Sequence, residues 1–155
     1  MKPIFSILLM FWGFMACHAQ NGTKYLSTKG GVGLKEIHTG GVSLDFNGRY
    51  HNQHEIFGEW VSSSKTDYQT IMVGFAAKPA LLRSNNSTLR LRAGAGIGSD
   101  TRKAVAAPQL GLEFSQTLGN RMDILVGNVN QAVLWAPKQE RWRLLLALGI
   151  RIPLN

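Results

Sequence analysis

Polar and apolar residues alternate with a period of two along most of the chain, the pattern of strands that divide two environments between their faces. In Val42–His51, Val42, Leu44, Phe46 and Tyr50 share one face, while Ser43, Asp45, Asn47, Arg49 and His51 share the other. In Thr88–Ile97, Leu89, Leu91, Ala93, Ala95 and Ile97 oppose Thr88, Arg90, Arg92, Gly94 and Gly96. Ala106–Leu118 sets Leu110, Leu112, Phe114 and Leu118 against Gln109, Gly111, Glu113, Ser115 and Thr117. Pro108 predicts a strand end or a bulge there, because proline has no N–H to give to a ladder. The last segment places Trp142, Leu144, Leu146, Leu148, Ile150 and Ile152 opposite Arg141, Arg143, Ala147, Gly149 and Arg151, with Leu145 as the exception.

Three segments alternate less cleanly. Glu55–Ser63 sets Glu55 and Glu59 against Ile56 and Trp60, with Phe57 and Val61 out of phase. Asp67–Ala77 sets Ile71, Val73 and Phe75 against Thr70, Gly74 and Ala76. Arg121–Trp135 changes phase near Gly127 and Asn128, which predicts a bulge. A first strand is expected over Lys29–His38. Between these segments lie Thr39–Gly41, Asn52–Gln53, Ser63–Thr66, Ser84–Ser87, Ser99–Thr101, Gly119–Asn120 and Ala136–Lys138, rich in the residues that reverse chains. Short strands at hairpin spacing, with no helical crossover, predict an all-β fold: an eight-stranded antiparallel up-and-down barrel.

Such a barrel is either a soluble carrier, apolar inside, or a transmembrane barrel, apolar outside and polar within. The polar faces of the later strands carry arginine mixed with glycine rather than lysine with glutamate. Arginine suits paired charges in confined space. The expected interior is therefore a plug of charge pairs formed by Asp45, Arg49, Glu59, Arg90, Arg92, Glu113, Asp123, Arg143 and Arg151. The glycines would leave room for long side chains from across the tube. The opposite face supplies Leu, Ile, Val, Phe and Trp for hydrocarbon, with Trp60, Tyr68, Trp135 and Trp142 near strand ends, where aromatic girdles form.

The start of the chain changes this picture in one respect. Residues 1–19, with Lys2, an apolar run from Ile4 to Ala16, and small residues at Cys17 and Ala19, have the pattern of a secretory signal, with lipidation at Cys17 as the other reading. A short segment, 20–28, would follow, then one barrel domain over 29–155. Cys17 is the single cysteine, so a mature chain cut after Ala19 has no disulfide framework. The formal charge of +8 comes from basic residues spread along the sequence rather than from a stripe that fits nucleic acid.

Motifs that suggest other chemistry lack their context. Gly94, Gly96 and Gly98 are followed by Ser99 and no helical pattern, unlike a dinucleotide fingerprint. The run from Lys29 lacks P-loop spacing. His38, His51 and His54 have no metal-ligand spacing. Glu59 and Glu113 read as structural partners of arginine rather than as an acid–base pair, and Asn21 and Asn86 match a glycosylation pattern that matters only in a eukaryotic secretory route. No catalytic residue, cofactor, metal or small-molecule substrate is indicated.

The run NRMDILVGNVNQAVLWAPKQERWRLLLALGIRIPLN, from Asn120, and KYLSTKGGVGLKEIHTGG, from Lys24, resemble the conjugative transposon protein TraO family of Bacteroidetes. The shared features are an Arg-led apolar strand, an Asn-containing bend, a Leu-Trp ending and a final Gly-containing strand. The resemblance implies an exported outer-membrane barrel that serves as a structural or assembly part of a conjugative DNA-transfer apparatus. Its partners would be outer-membrane lipid and other apparatus proteins, without direct contact to nucleic acid. Two alternatives stand beside it: a general outer-membrane barrel for adhesion or envelope integrity, and an exported soluble ligand-binding barrel. The short loops depart from the family and argue against a function housed in long extracellular loops.

Overall fold

The computed structural model describes residues 23–34, 36–48, 51–100, 102–119 and 122–154. The expected export signal, residues 1–19, and Arg49 lie outside the described residues. The strands are β1 (Lys24–Gly33), β2 (Ile37–Asn47), β3 (Gln53–Ser63), β4 (Tyr68–Lys78), β5 (Ala80–Arg83), β6 (Ser87–Asp100), β7 (Ala104–Leu118), β8 (Met122–Ala132) and β9 (Trp142–Leu154). Consecutive strands pair antiparallel except β4 and β5, β9 returns to β1, and β4 pairs with β6.

β4 and β5 form one stave interrupted at Pro79, whose carbonyl still accepts the Leu91 N–H at 3.0 Å. The result is a closed eight-stranded antiparallel up-and-down barrel. Closure pairs each stave on both sides over most of its length, while β5 pairs with β6 alone among the described residues.

The first hairpin differs from its sequence reading. The expected strand Lys29–His38 straddles a turn, and the barrel begins at Lys24 rather than at residue 29. The chain reverses between Gly33 and Ile37, and Glu36 has a positive φ of 59°. Thr39, Gly40 and Gly41, expected as a turn, lie inside β2. Gly41 is needed there because an added Cβ would sit 2.7 Å from the Gly58 carbonyl oxygen.

The expected bulge at Gly127–Asn128 is absent. β8 keeps one continuous register with β7 and with β9. What changes along it is the chemistry of each face: Val129 and Val133 point inward, and Asn128 and Asn130 point outward. Phe57, Val61 and Leu145 are likewise inside rather than out of phase. β7 runs straight through Pro108, which pairs with Ala95 of β6. The β7–β8 ladder is interrupted at that point, between Gln109 and the isolated Ala106–Leu134 bridge, so the missing N–H costs no ladder bond.

The interior has two zones. Toward the end where β1 starts and β9 stops, it is charged and polar. Toward the other end it is apolar, with Ile37, Val61 and Leu145 in one cluster and Met72, Val105, Ala107, Val133 and Ala136 in another. The connection from 133 to 141, which contains a 3-10 turn at Lys138–Glu140, folds over this end and buries Ala136 and Glu140. Thr66 Oγ1 donates to Glu140 Oε1 at 2.6 Å and fastens it.

The outer surface is the inverse of a soluble protein's. Ile71, Ile97, Leu148 and Trp142 are 66%, 68%, 61% and 72% exposed, and Leu, Ile, Val and Phe side chains surround the barrel. Lys78 and Asp45 are 0% exposed. An apolar belt of this extent is far larger than a water-facing surface carries.

Candidate functional site

The centre of the charged zone is built around two lysines. Lys78 ends β4 and points inward. Its Nζ lies 2.6 Å from Asp45 Oδ1, 2.9 Å from Glu113 Oε1 and 3.9 Å from Glu55 Oε2. Lys29 of β1 donates to Glu55 Oε1 at 2.9 Å and to Glu113 Oε2 at 2.6 Å. Arg92 Nε donates to Glu55 Oε2 at 2.6 Å. Three cations thus face three carboxylates. Asp45 and Glu55 are direct cross-strand partners, a pairing of like charges that is unfavourable unless a cation stands nearby. Ser27 Oγ completes the cluster by donating to Asp45 Oδ2 at 2.7 Å.

Arg92 also stacks on Phe57, with its guanidinium carbon 4.7 Å from the ring centroid. Gly74 and Gly96 are cross-strand partners under the same ring. A Cβ at Gly74 would come within 2.5 Å of the Phe57 ring. The glycine pair is the seat of Phe57, and Phe57 is the seat of Arg92.

Each expected network residue has a definite place, apart from Arg49. Asp45, Arg92 and Glu113 belong to the central cluster. Asp123 and Arg151 form a separate pair nearer the rim: Arg151 Nε donates to Asp123 Oδ2 at 2.8 Å, Nη1 donates to Gln53 Oε1 at 2.8 Å, and the guanidinium lies over Tyr25. Glu59, Arg90 and Arg143 are inside, but none forms an ion pair among the described residues, contrary to expectation. Arg90 is the cross-strand partner of Glu113, yet Glu113 is taken by the two lysines, and Arg90 Nη1 donates instead to Ser115 Oγ at 2.8 Å. Glu59 accepts from Gln131 Nε2 at 2.8 Å, from Gln109 Nε2 at 3.1 Å and from Thr39 Oγ1 at 3.2 Å. Arg143 donates to Thr70 Oγ1 at 2.9 Å and covers the Tyr68 ring in the mostly apolar zone. Lys29, Lys78 and Glu55 are the members the expectation left out.

These bonds tie staves that are not neighbours in the sheet. Lys29 of β1 and Lys78 of β4 meet Glu113 of β7, Gln131 of β8 meets Glu59 of β3, and Arg143 of β9 meets Thr70 of β4. Side chains therefore bolt the wall together across the axis, as the narrow bore of an eight-stranded barrel allows. Spaces of about 50 and 20 Å³ remain beside Lys29 and Arg92, room for a few waters. Among the described residues no group of three metal-ligating side chains comes together.

Arg92→Leu is expected to lower stability by about 2–3 kcal/mol, less than the usual cost of a broken buried pair because Lys29 still holds Glu55. Urea unfolding in detergent micelles measures it; an unchanged midpoint would contradict a stabilising role for this pair.

No protein-family model matches the chain, and no characterised protein matches it in sequence. Solved structures match in shape. The N-terminal β-barrel domain of Pseudomonas aeruginosa OprF is similar, with a TM-score of 0.63 and 10% identity over 86% of this chain and 98% of that one. Neisserial surface protein A is similar with a TM-score of 0.63 and 12% identity, over 85% and 95% of the two chains. The outer membrane enzyme PagL has a TM-score of 0.58 and 8% identity, over 84% and 99%. At these identities the likeness shows the fold, which resembles bacterial outer-membrane barrels, and leaves function to be argued from the chain's own residues.

Proposed function

We propose that this protein is an integral outer-membrane barrel that serves as a structural or assembly component of a conjugative DNA-transfer apparatus. The observation that carries the membrane placement is the inverted polarity: an apolar belt outside and bolted charge pairs inside. The same observation counts against a soluble ligand-binding barrel, which needs an apolar lining and a wet exterior. Trp60, Trp135 and Trp142 stand exposed toward the loop-covered end, and Lys65, Arg102, Lys103, Lys138 and Arg141 lie in the turns at that end, beside the headgroups. The apparatus role rests on the resemblance of Lys24–Gly41 and Asn120–Asn155 to the TraO family. Short turns and a side-chain-filled bore favour a structural part over a conduit or a loop-borne receptor. Glu59 and Glu113 are held by structural partners, so neither is assigned a catalytic role.

Two experiments test the two levels. Leu148, in the middle of β9, is outward-facing. Leu148→Arg should destabilise the barrel in lipid vesicles by about 2–4 kcal/mol; on a water-facing surface the same change would be nearly neutral. Deleting the gene in a donor strain should reduce transfer of the mobile element and leave envelope integrity intact. Normal transfer together with detergent sensitivity would instead support the general envelope barrel.

A further inference from the structure

The outer surface of β7–β9 carries a furrow. Its floor is Asn128, Asn130 and Ala132, and its walls are Leu110 and Leu112 on β7 and Leu144 and Leu146 on β9, which are the cross-strand partners of the two asparagines. The wall leucines are 42–57% exposed; Asn130 is half-buried between Leu110 and Leu144, and Asn128 is exposed. Asn128 Oδ1 accepts the Leu112 backbone N–H at 2.8 Å. The Asn130 amide makes no hydrogen bond among the described residues. An amide facing hydrocarbon without a partner is costly.

Lipid does not supply that partner. Trp142, the partner of Ala132, marks the headgroup level. Each two-residue step along a tilted strand descends about 5 Å, so Asn130 and Asn128 stand beside acyl methylenes.

We infer that the furrow docks a second copy of this chain within the membrane, with the two Asn130 amides hydrogen-bonded to each other. The inference rests on the membrane placement proposed above. An amide carries both a donor and an acceptor and so complements itself, as a two-fold interface requires. Two barrels inserted in the same direction are related by an axis along the membrane normal, so a residue on that axis meets its own equivalent at equal depth, and with Asn130 there, Leu144 of one copy faces Leu110 of the other. Tilted staves facing each other cross at about 70–90°, so the contact is short and centres on one position. Asn130, whose amide is free, suits that position; Asn128 is already engaged. Ala132 beside it permits close approach.

The test uses the full chain with Cys17→Ser, so that the introduced cysteines stand alone. Leu110→Cys together with Leu144→Cys in native membranes should give disulfide-linked homodimers on oxidation. Ile71→Cys, on the β4 face across the barrel, should stay monomeric. In vesicles, energy transfer between labelled copies should show self-association weakened roughly three- to tenfold by Asn130→Leu. Insertion is checked in every sample by resistance to urea extraction. An inserted barrel that stays monomeric, cross-links equally from both faces, joins a different protein through residue 110 or 144, or associates as well with Asn130→Leu overturns the dimer. Failure to insert would count against the membrane placement instead.

Discussion

Replacing Lys78 by methionine is expected to destabilise the folded barrel by about 3–5 kcal/mol, the usual cost of removing one partner from a buried ion pair. Methionine keeps an apolar stem of similar length, so the loss isolates the charge rather than the packing. Lys78 is 0% exposed and bridges Asp45 on β2 to Glu113 on β7. Without it, Asp45 retains Ser27 as its partner, and the opposed carboxylates Asp45 and Glu55 lose the cation between them. Glu113 keeps Lys29. Urea unfolding in lipid vesicles gives the magnitude. Adding Asp45→Asn should return much of the loss, because it removes the carboxylate left behind; a double variant no better than the single would show that the cost lies in packing.

The centrality of Lys78 was not visible from the alternation of the chain, and the reason is geometric. Period-two reading assigns residues to faces, and it identified the inward arginines at 90, 92, 143 and 151. It does not report how staves are staggered around a closed barrel, and that stagger decides which inward residues share a level. Arg90 and Glu113 are cross-strand partners, and on local grounds they should pair. Lys78, from a stave not adjacent to that of Glu113, reaches it first. In sequence Lys78 sits against Pro79 and reads as the flank of a strand, and Lys29 opens the weak first strand in a glycine-rich run that gives it no partner.

The apolar half of the interior hid for a related reason. Phe57, Val61, Val129, Val133 and Leu145 seemed to break the alternation only if every inward residue had to be polar. The registers are unbroken there; Val61, Val133 and Leu145 form, and Val129 adjoins, a dry layer beneath the 133–141 connection, while Phe57 carries Arg92.

The glycines of β6 give the second large effect. They face inward as the alternation predicts, but the space they leave is mostly not for side chains from across the tube. A Cβ at Gly98 would lie 1.9 Å from the Ile71 carbonyl oxygen and 2.7 Å from Met72 Cα, and one at Gly94 would lie 2.4 Å from the Phe75 carbonyl oxygen. These contacts are with the backbone of β4, the neighbouring stave, which cannot yield without parting the β4–β6 ladder. Gly96 differs: its nearest neighbours, the Phe57 ring and the Val73 carbonyl oxygen, would be 3.4 Å away. Gly98→Ala is therefore expected to cost at least about 4 kcal/mol or to prevent folding, and Gly96→Ala about 1 kcal/mol or less, with Gly94→Ala between them. Folded fraction by heat-modified gel mobility, together with urea midpoints, ranks the three. Equal effects would mean that the glycines serve only to empty the bore; the graded order would mean that they let two staves curl together tightly enough to close an eight-stranded wall.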